Sequence, residues 1–167
     1  SSNSNLTNID GLSSLTSGDE LHIIGNDALT NIDGLSSIVS SGTLFISSNE
    51  ALNNIDGLSS LAEVSHTLLI QNNAALTNID GLSTLNRVTI SLSVRNNAVL
   101  TNIDGLSSLT SVGFYLNILN NAALTNVDGL SSLANVGMVL EIAGNTVLTN
   151  IDGLSSLTNV GEIIIFS

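Results

Sequence analysis

Apolar positions change their spacing partway through residues 114–137, FYLNILNNAALTNVDGLSSLANVG. In YLNIL they alternate with period two. This predicts a short strand with Leu116 and Ile118 on one face and Tyr115, Asn117 and Leu119 on the other. After Asn121 the aliphatics step by three, through Leu124, Val127, Leu130, Leu133 and Val136. That step is too tight for a long amphipathic helix. It predicts a chain winding through short turns, each pointing one aliphatic inward. GLSSL then makes a single helical turn with Asp128 as its N-cap.

The same alternation of strand and stepped loop recurs. LTNIDGLSSL at Leu6 returns, with small changes, from Leu29, Leu52, Leu76, Leu100, Leu124 and Leu148, at intervals of 23, 23, 24, 24, 24 and 24 residues. A fixed period of this length is the mark of a solenoid. The expected architecture is mostly β: a parallel β-solenoid of about seven coils of 23–24 residues, one domain over 1–167, uncapped at both ends. One coil cannot bury its own aliphatics. Stacked coils form a continuous column, worth about 1.5–3 kcal/mol per fully buried side chain.

An asparagine stands three residues before each repeat's leucine: Asn3, Asn26, Asn49, Asn73, Asn97, Asn121 and Asn145. An inward amide at this turn can satisfy backbone groups of its own coil and the next, so these residues are expected to form a ladder.

The pattern LxIxxNxxLxxIxGLxxLxxV, as in LEIAGNTVLTNIDGLSSLTNV (140–160), resembles the leucine-rich-repeat superfamily. The step of three from Asn to Leu is similar to the receptor L-domain branch, where ordinary leucine-rich repeats step by two. Similar repeats are found in bacterial surface proteins. The resemblance covers essentially the whole chain. It implies a single-handed parallel β-solenoid with a binding or adhesive role and no reaction.

Composition narrows the partners. The chain carries a net charge of −12, with Arg87 and Arg95 as its two basic residues, so no basic footprint for nucleic acid can be assembled. The same acidity disfavours an anionic membrane surface, and no apolar run approaches the ~18 residues of a membrane span. Aromatics are 2% of the chain, so the core must be aliphatic. Cysteine is absent, which removes disulfides and thiolate chemistry. The Ser, Asn, Thr and Gly content without Lys, Pro or Cys, and an opening SSNSNL without initiator Met, lead us to expect a secreted, extracellular or cell-surface protein.

Stacking turns each repeat position into a column. The outward strand columns vary from coil to coil and offer a ligand-binding face: His22, Phe45, Leu69, Gln71, Arg95, Tyr115, Asn117, Leu119 and Glu141. Its apolar members either mark an interaction site, for a glycan or a protein, or record drift on an unconstrained surface. In these columns Ile163, Ile165 and Ser167 are the expected last members.

The aspartates Asp10, Asp33, Asp56, Asp80, Asp104, Asp128 and Asp152 form another column. Capping the N–H groups of their own turns is one role for them and a calcium ladder is the other; one carboxylate per coil favours capping. Glycines such as Gly81 and Gly105 follow each aspartate, allowing positive φ or close approach of coils. No GxGxxG or P-loop pattern accompanies them. The regular threonines (Thr30, Thr77, Thr101, Thr125, Thr149) raise a weaker ice-binding alternative.

Catalysis has few candidates. His22 and His66 lie two coils apart in different columns, His66 at an inward-leaning strand start, and no Ser–His–Asp trio or HExxH is present. No enzyme activity, cofactor or bound metal is expected.

The ends point to self-association. Aligning Val160 with Val136 puts Ile164 and Phe166 inward. Ser167 then falls two places before the next ladder position, as Ser1 does before Asn3. The last strand is therefore expected to hand over in register to another copy, through Asn3, Leu6, Ile163, Ile164, Ile165 and Phe166, with Glu162 as a gatekeeper charge.

Overall fold

A three-residue step needs a hydrogen-bond pattern to enforce it, and the computed structural model supplies one. The structure describes residues 3–166, so the hand-over at Ser1 and Ser167 lies outside it. Within one coil Leu76 N–H donates to Asn73 O (3.2 Å), Leu82 N–H to Ile79 O (3.0 Å) and Leu85 N–H to Leu82 O (2.8 Å). Each is an i→i−3 bond closing a tight turn. The turn places one aliphatic inward and the next follows three residues later. The DGL of each repeat is a short 3-10 turn, as at Asp80–Leu82.

Alternating residues then form strands that stack on those of the neighbouring coils. These are β1 (Ser17–Ile24), β2 (Ser40–Ser47), β3 (Glu63–Val64), β4 (Thr67–Gln71), β5 (Arg87–Val88), β6 (Ser91–Arg95), β7 (Ser111–Val112), β8 (Tyr115–Leu119), β9 (Asn135–Ala143) and β10 (Asn159–Phe166). They make one ten-stranded parallel sheet. The protein is a parallel β-solenoid, mostly strands and 3-10 turns.

The inward columns are closed to solvent in the middle coils. Leu76, Ile79, Leu82, Leu85, Val88, Leu92 and Val94 of one coil are all 0% exposed. Leu116 and Ile118 are buried, while Tyr115 is exposed and Asn117 and Leu119 are half-buried, as the alternation required.

Coil length varies by one residue, and the variation has a fixed place. Two residues separate Gly18 from Leu21, Ser41 from Leu44 and Val160 from Ile163. Three separate Val64 from Leu68, and the same holds in the three coils that follow. The register shift between Val160 and Glu162 against β9 is this difference. It corrects the expected alignment of the last strand. Ile163 pairs with Leu140 and Ile165 with Ile142, so these two are inward, while Ile164 pairs with Glu141 and Phe166 with Ala143. The outward columns therefore end in Glu162, Ile164 and Phe166, not in Ile163, Ile165 and Ser167.

The strand ends in a corner the sequence reading did not single out. Ser48, Asn72, Asn96 and Asn120 take φ of 55–56°, and Gly25 and Gly144 take 68° and 67°. Asparagine tolerates this left-handed conformation better than other side chains. The corner turns the chain into the ladder asparagine that follows.

That ladder runs from Asn26 to Asn145. Asn97 Oδ1 accepts the N–H of Asn73 (3.1 Å). Its Nδ2 donates to Ile70 O (3.1 Å) and Arg95 O (3.1 Å), and its own N–H donates to Asn121 Oδ1 (3.1 Å). Asn49, Asn73, Asn97 and Asn121 are 0% exposed, and no buried side-chain polar atom among the described residues lacks a partner. Asn3 shares the turn, accepting Leu6 N–H at 2.8 Å, but is exposed.

The repeat glycines serve close approach. None of the DGL glycines has positive φ. A Cβ on Gly81 would overlap the Ile55 carbonyl of the preceding coil, and every later DGL glycine, like Gly34 and Gly57, meets a carbonyl in the same way. Gly11 is the exception, with nothing within 4 Å of its missing Cβ.

Candidate functional site

Three surfaces could carry function: the return-loop face, the outward strand face and the two ends of the stack.

On the loop face the aspartates do not act as N-caps. Each opens its 3-10 turn as the first residue, with Ile or Val in the capping position, as Ile79 precedes Asp80. The local acceptor is the asparagine two residues earlier: Asn78 Oδ1 accepts Asp80 N–H at 3.1 Å, and the other coils repeat this. Asn, lying two places before the turn, reaches its first N–H, whereas Asp is already inside it. The threonine hydroxyls are also engaged: Thr101 Oγ1 donates to Thr77 O (3.3 Å) and accepts from Asn102 Nδ2 (3.5 Å). The Thr column thus ties coils together.

The aspartate carboxylates lie in single file. Among the described residues no three of His, Cys, Asp or Glu gather into a metal-holding group. Burial raises the Asp80 carboxyl above its ordinary 3.8, and the charges of Asp104 and Asp56 push it the same way. The folded state therefore holds this proton more tightly than the unfolded state. Stability falls as pH rises from 3.8 through the folded value, and the penalty is complete above it. Asp80→Asn is expected to remove it. The variant should gain up to about 1 kcal/mol near neutrality, taking about 0.8 kcal/mol per like-charged neighbour in water and discounting for screening. Its stability should also lose part of its pH dependence in this window. Urea melts of both proteins at pH 4 and pH 7 check this.

The outward strand face brings only some of the expected residues together. His22 and Phe45 stack with ring centroids 4.8 Å apart and planes at 6°. Phe45 pairs in turn with Leu69. Ser91 and Ser93 interrupt this apolar stripe in the next coil, and Tyr115, Asn117 and Leu119 lie beyond them. Glu141 is half-buried next to Asn117. Gln71 and Arg95 are joined: Arg95 Nε donates to Gln71 Oε1 (2.7 Å), and Gln71 Nε2 donates to Ser47 Oγ (3.1 Å).

His66 is exposed rather than inward, because the extra residue of its coil lifts the chain between Val64 and Leu68 away from the core. No helix among the described residues is long and apolar enough to cross a membrane.

The two ends expose the columns that are sealed elsewhere. Leu6 is 37% and Leu12 44% exposed at one end; at the other Ile151 is 38%, Ile163 50% and Ile165 45% exposed, and the outward Phe166 beside them is 59% exposed. Three hollows lie on these ends: one of about 620 Å³ at Asn3–Leu6, one of about 540 Å³ at Ile151–Ser155, and one of about 180 Å³ lined by Ile142, Asn145, Leu148, Ile165 and Phe166.

Comparison with family profiles, with curated proteins and with solved structures found no match to this chain.

Proposed function

We propose that this is a non-enzymatic, extracellular or cell-surface structural and adhesive protein, related to the leucine-rich repeats of receptor L-domain type, whose solenoid lengthens by end-to-end stacking of copies. One observation carries the reading: the two end coils are matched to each other. β1 and β10 both lack the extra residue of the central coils, so β10 of one copy and β1 of the next can pair as β1 pairs with β2. In that register Ile163 meets Leu21, Ile165 meets Ile23, and Phe166 meets Ile24.

Two details support the match. Gly11 of the added copy would face the Ile151 carbonyl as Gly34 faces that of Ile9. Asn3 would enter the hollow beside Asn145 and Ile142, a position equivalent to that of Asn145 beside Asn121 and Ile118.

The joint also brings Glu162 against Glu20 and Asp152 against Asp10. Each such pair costs about 0.8 kcal/mol at ~5 Å in bulk water, so added salt should promote assembly. Sedimentation velocity and negative-stain microscopy over concentration and salt series are expected to show thin unbranched fibres. Ile165→Asp should abolish them. Gly11→Ala should block them without shifting the melting curve of the monomer. Monomers at every concentration and salt would overturn the reading.

A further inference from the structure

The strand face carries a feature that stacking does not use. The chain has 14 acidic residues and two arginines, yet the Arg95 side chain hydrogen-bonds to a neutral partner, Gln71. Gln71 is held in turn by Ser47, so three successive coils fix the guanidinium through its Nε edge. The terminal Nη groups take no part in that bond. Arg95 is half-buried, which limits the rotamers it can lose on binding.

Its surroundings select a ligand class. The outward positions of β2, β4, β6 and β8 carry no carboxylate; the one between them, Glu63 on β3, pairs with Arg87 on β5, and Glu20, Glu141 and Glu162 occupy the outer coils. Beside Arg95 stand Ser93, Asn117 and the corner residue Asn96, all neutral hydrogen-bonding groups, with the apolar surfaces of Leu69 and Leu119 alongside. Ser93 is on the outward side of its strand and is 7% exposed between its larger neighbours. A planar fork suits a carboxylate bidentately. Neutral amides and hydroxyls beside aliphatic surface suit a polyhydroxylated ring.

We infer that the outward face around Arg95, Gln71 and Ser93 binds a carboxylated saccharide, one uronate carboxylate seated on the Arg95 guanidinium. The inference is independent of end-to-end stacking. A strongly acidic protein repels anionic polymers in general, so the site takes one carboxylate at a fixed place rather than a charge-dense chain.

The test is a calorimetric titration of the whole chain at low salt with a galacturonate trimer, its methyl ester and a neutral galactose trimer. The galacturonate trimer should bind more tightly than the other two. Arg95→Gln should weaken it about tenfold, as loss of a charge-assisted hydrogen bond does. Gln71→Leu should weaken it severalfold by freeing the guanidinium. Arg87→Gln, which removes the other cation from an exposed position on β5, should leave binding unchanged. No binding by the wild type at millimolar trimer would overturn the proposal. So would equal binding of acid and methyl ester, or equal losses in the two arginine variants.

Discussion

Gly81→Ala is expected to destabilise the protein by about 3 kcal/mol or more, while Gly11→Ala leaves the monomer unchanged. At Gly81 the added methyl must displace the Ile55 carbonyl, which is backbone and cannot rotate away. Overpacking in a close-packed interior costs about 1–3 kcal/mol even where side chains can yield. Here relief requires two coils to separate, which weakens the buried contacts between Leu58 and Leu82 on either side. At Gly11 the same methyl meets nothing within 4 Å. Urea denaturation of both variants beside the wild type checks the contrast. Equal losses at the two glycines would show that the repeat keeps its glycine for conformational freedom and not for coil spacing.

Asn97→Leu should be comparably severe, on the order of 4 kcal/mol and roughly 10 °C in melting temperature. Leucine fills much the same volume but leaves the Asn73 N–H and the Ile70 carbonyl without their partners. Each buried group left unpaired costs about 1–3 kcal/mol. Asn121 Oδ1 also loses the Asn97 amide as a donor. Thermal melts followed by circular dichroism measure the shift, and amide exchange should show the largest loss of protection at Asn73. A drop below 1 kcal/mol would mean that water replaces the amide without penalty.

Much of this fold was legible because inward positions are chemically constrained. Leu76, Ile79, Leu82 and Leu85 announce a three-residue step, and the step turned out to be the spacing of successive i→i−3 turns. The ladder was legible for a similar reason: a polar residue held at one place in an aliphatic column needs buried partners.

What the sequence concealed was one residue in length. Counting 24 from Val136 reaches Val160 correctly, but the strand beyond it follows the shorter spacing of the first two coils. A single residue reverses inward and outward, so Ile163 and Ile165 took the places expected for Ile164 and Phe166. The misassigned caps have a different cause. Asp and Asn both serve as helix caps, and NID presents both within three residues. Only the backbone shows that Ile79 holds the capping position and that Asn78 reaches past it to Asp80.

The regular spacing of the coils also governs how such a chain would fold. Backbone pairing between coils joins residues 22–25 apart in sequence, whether near Gly42 or near Gly144. Adding coils would lengthen the chain without lengthening any loop that must close. Relative contact order would then fall with each added coil. The slow event is forming the first pair of neighbours; each later coil docks on a finished template at nearly constant entropic cost. The folding time of a longer array should therefore track its nucleation and not its length.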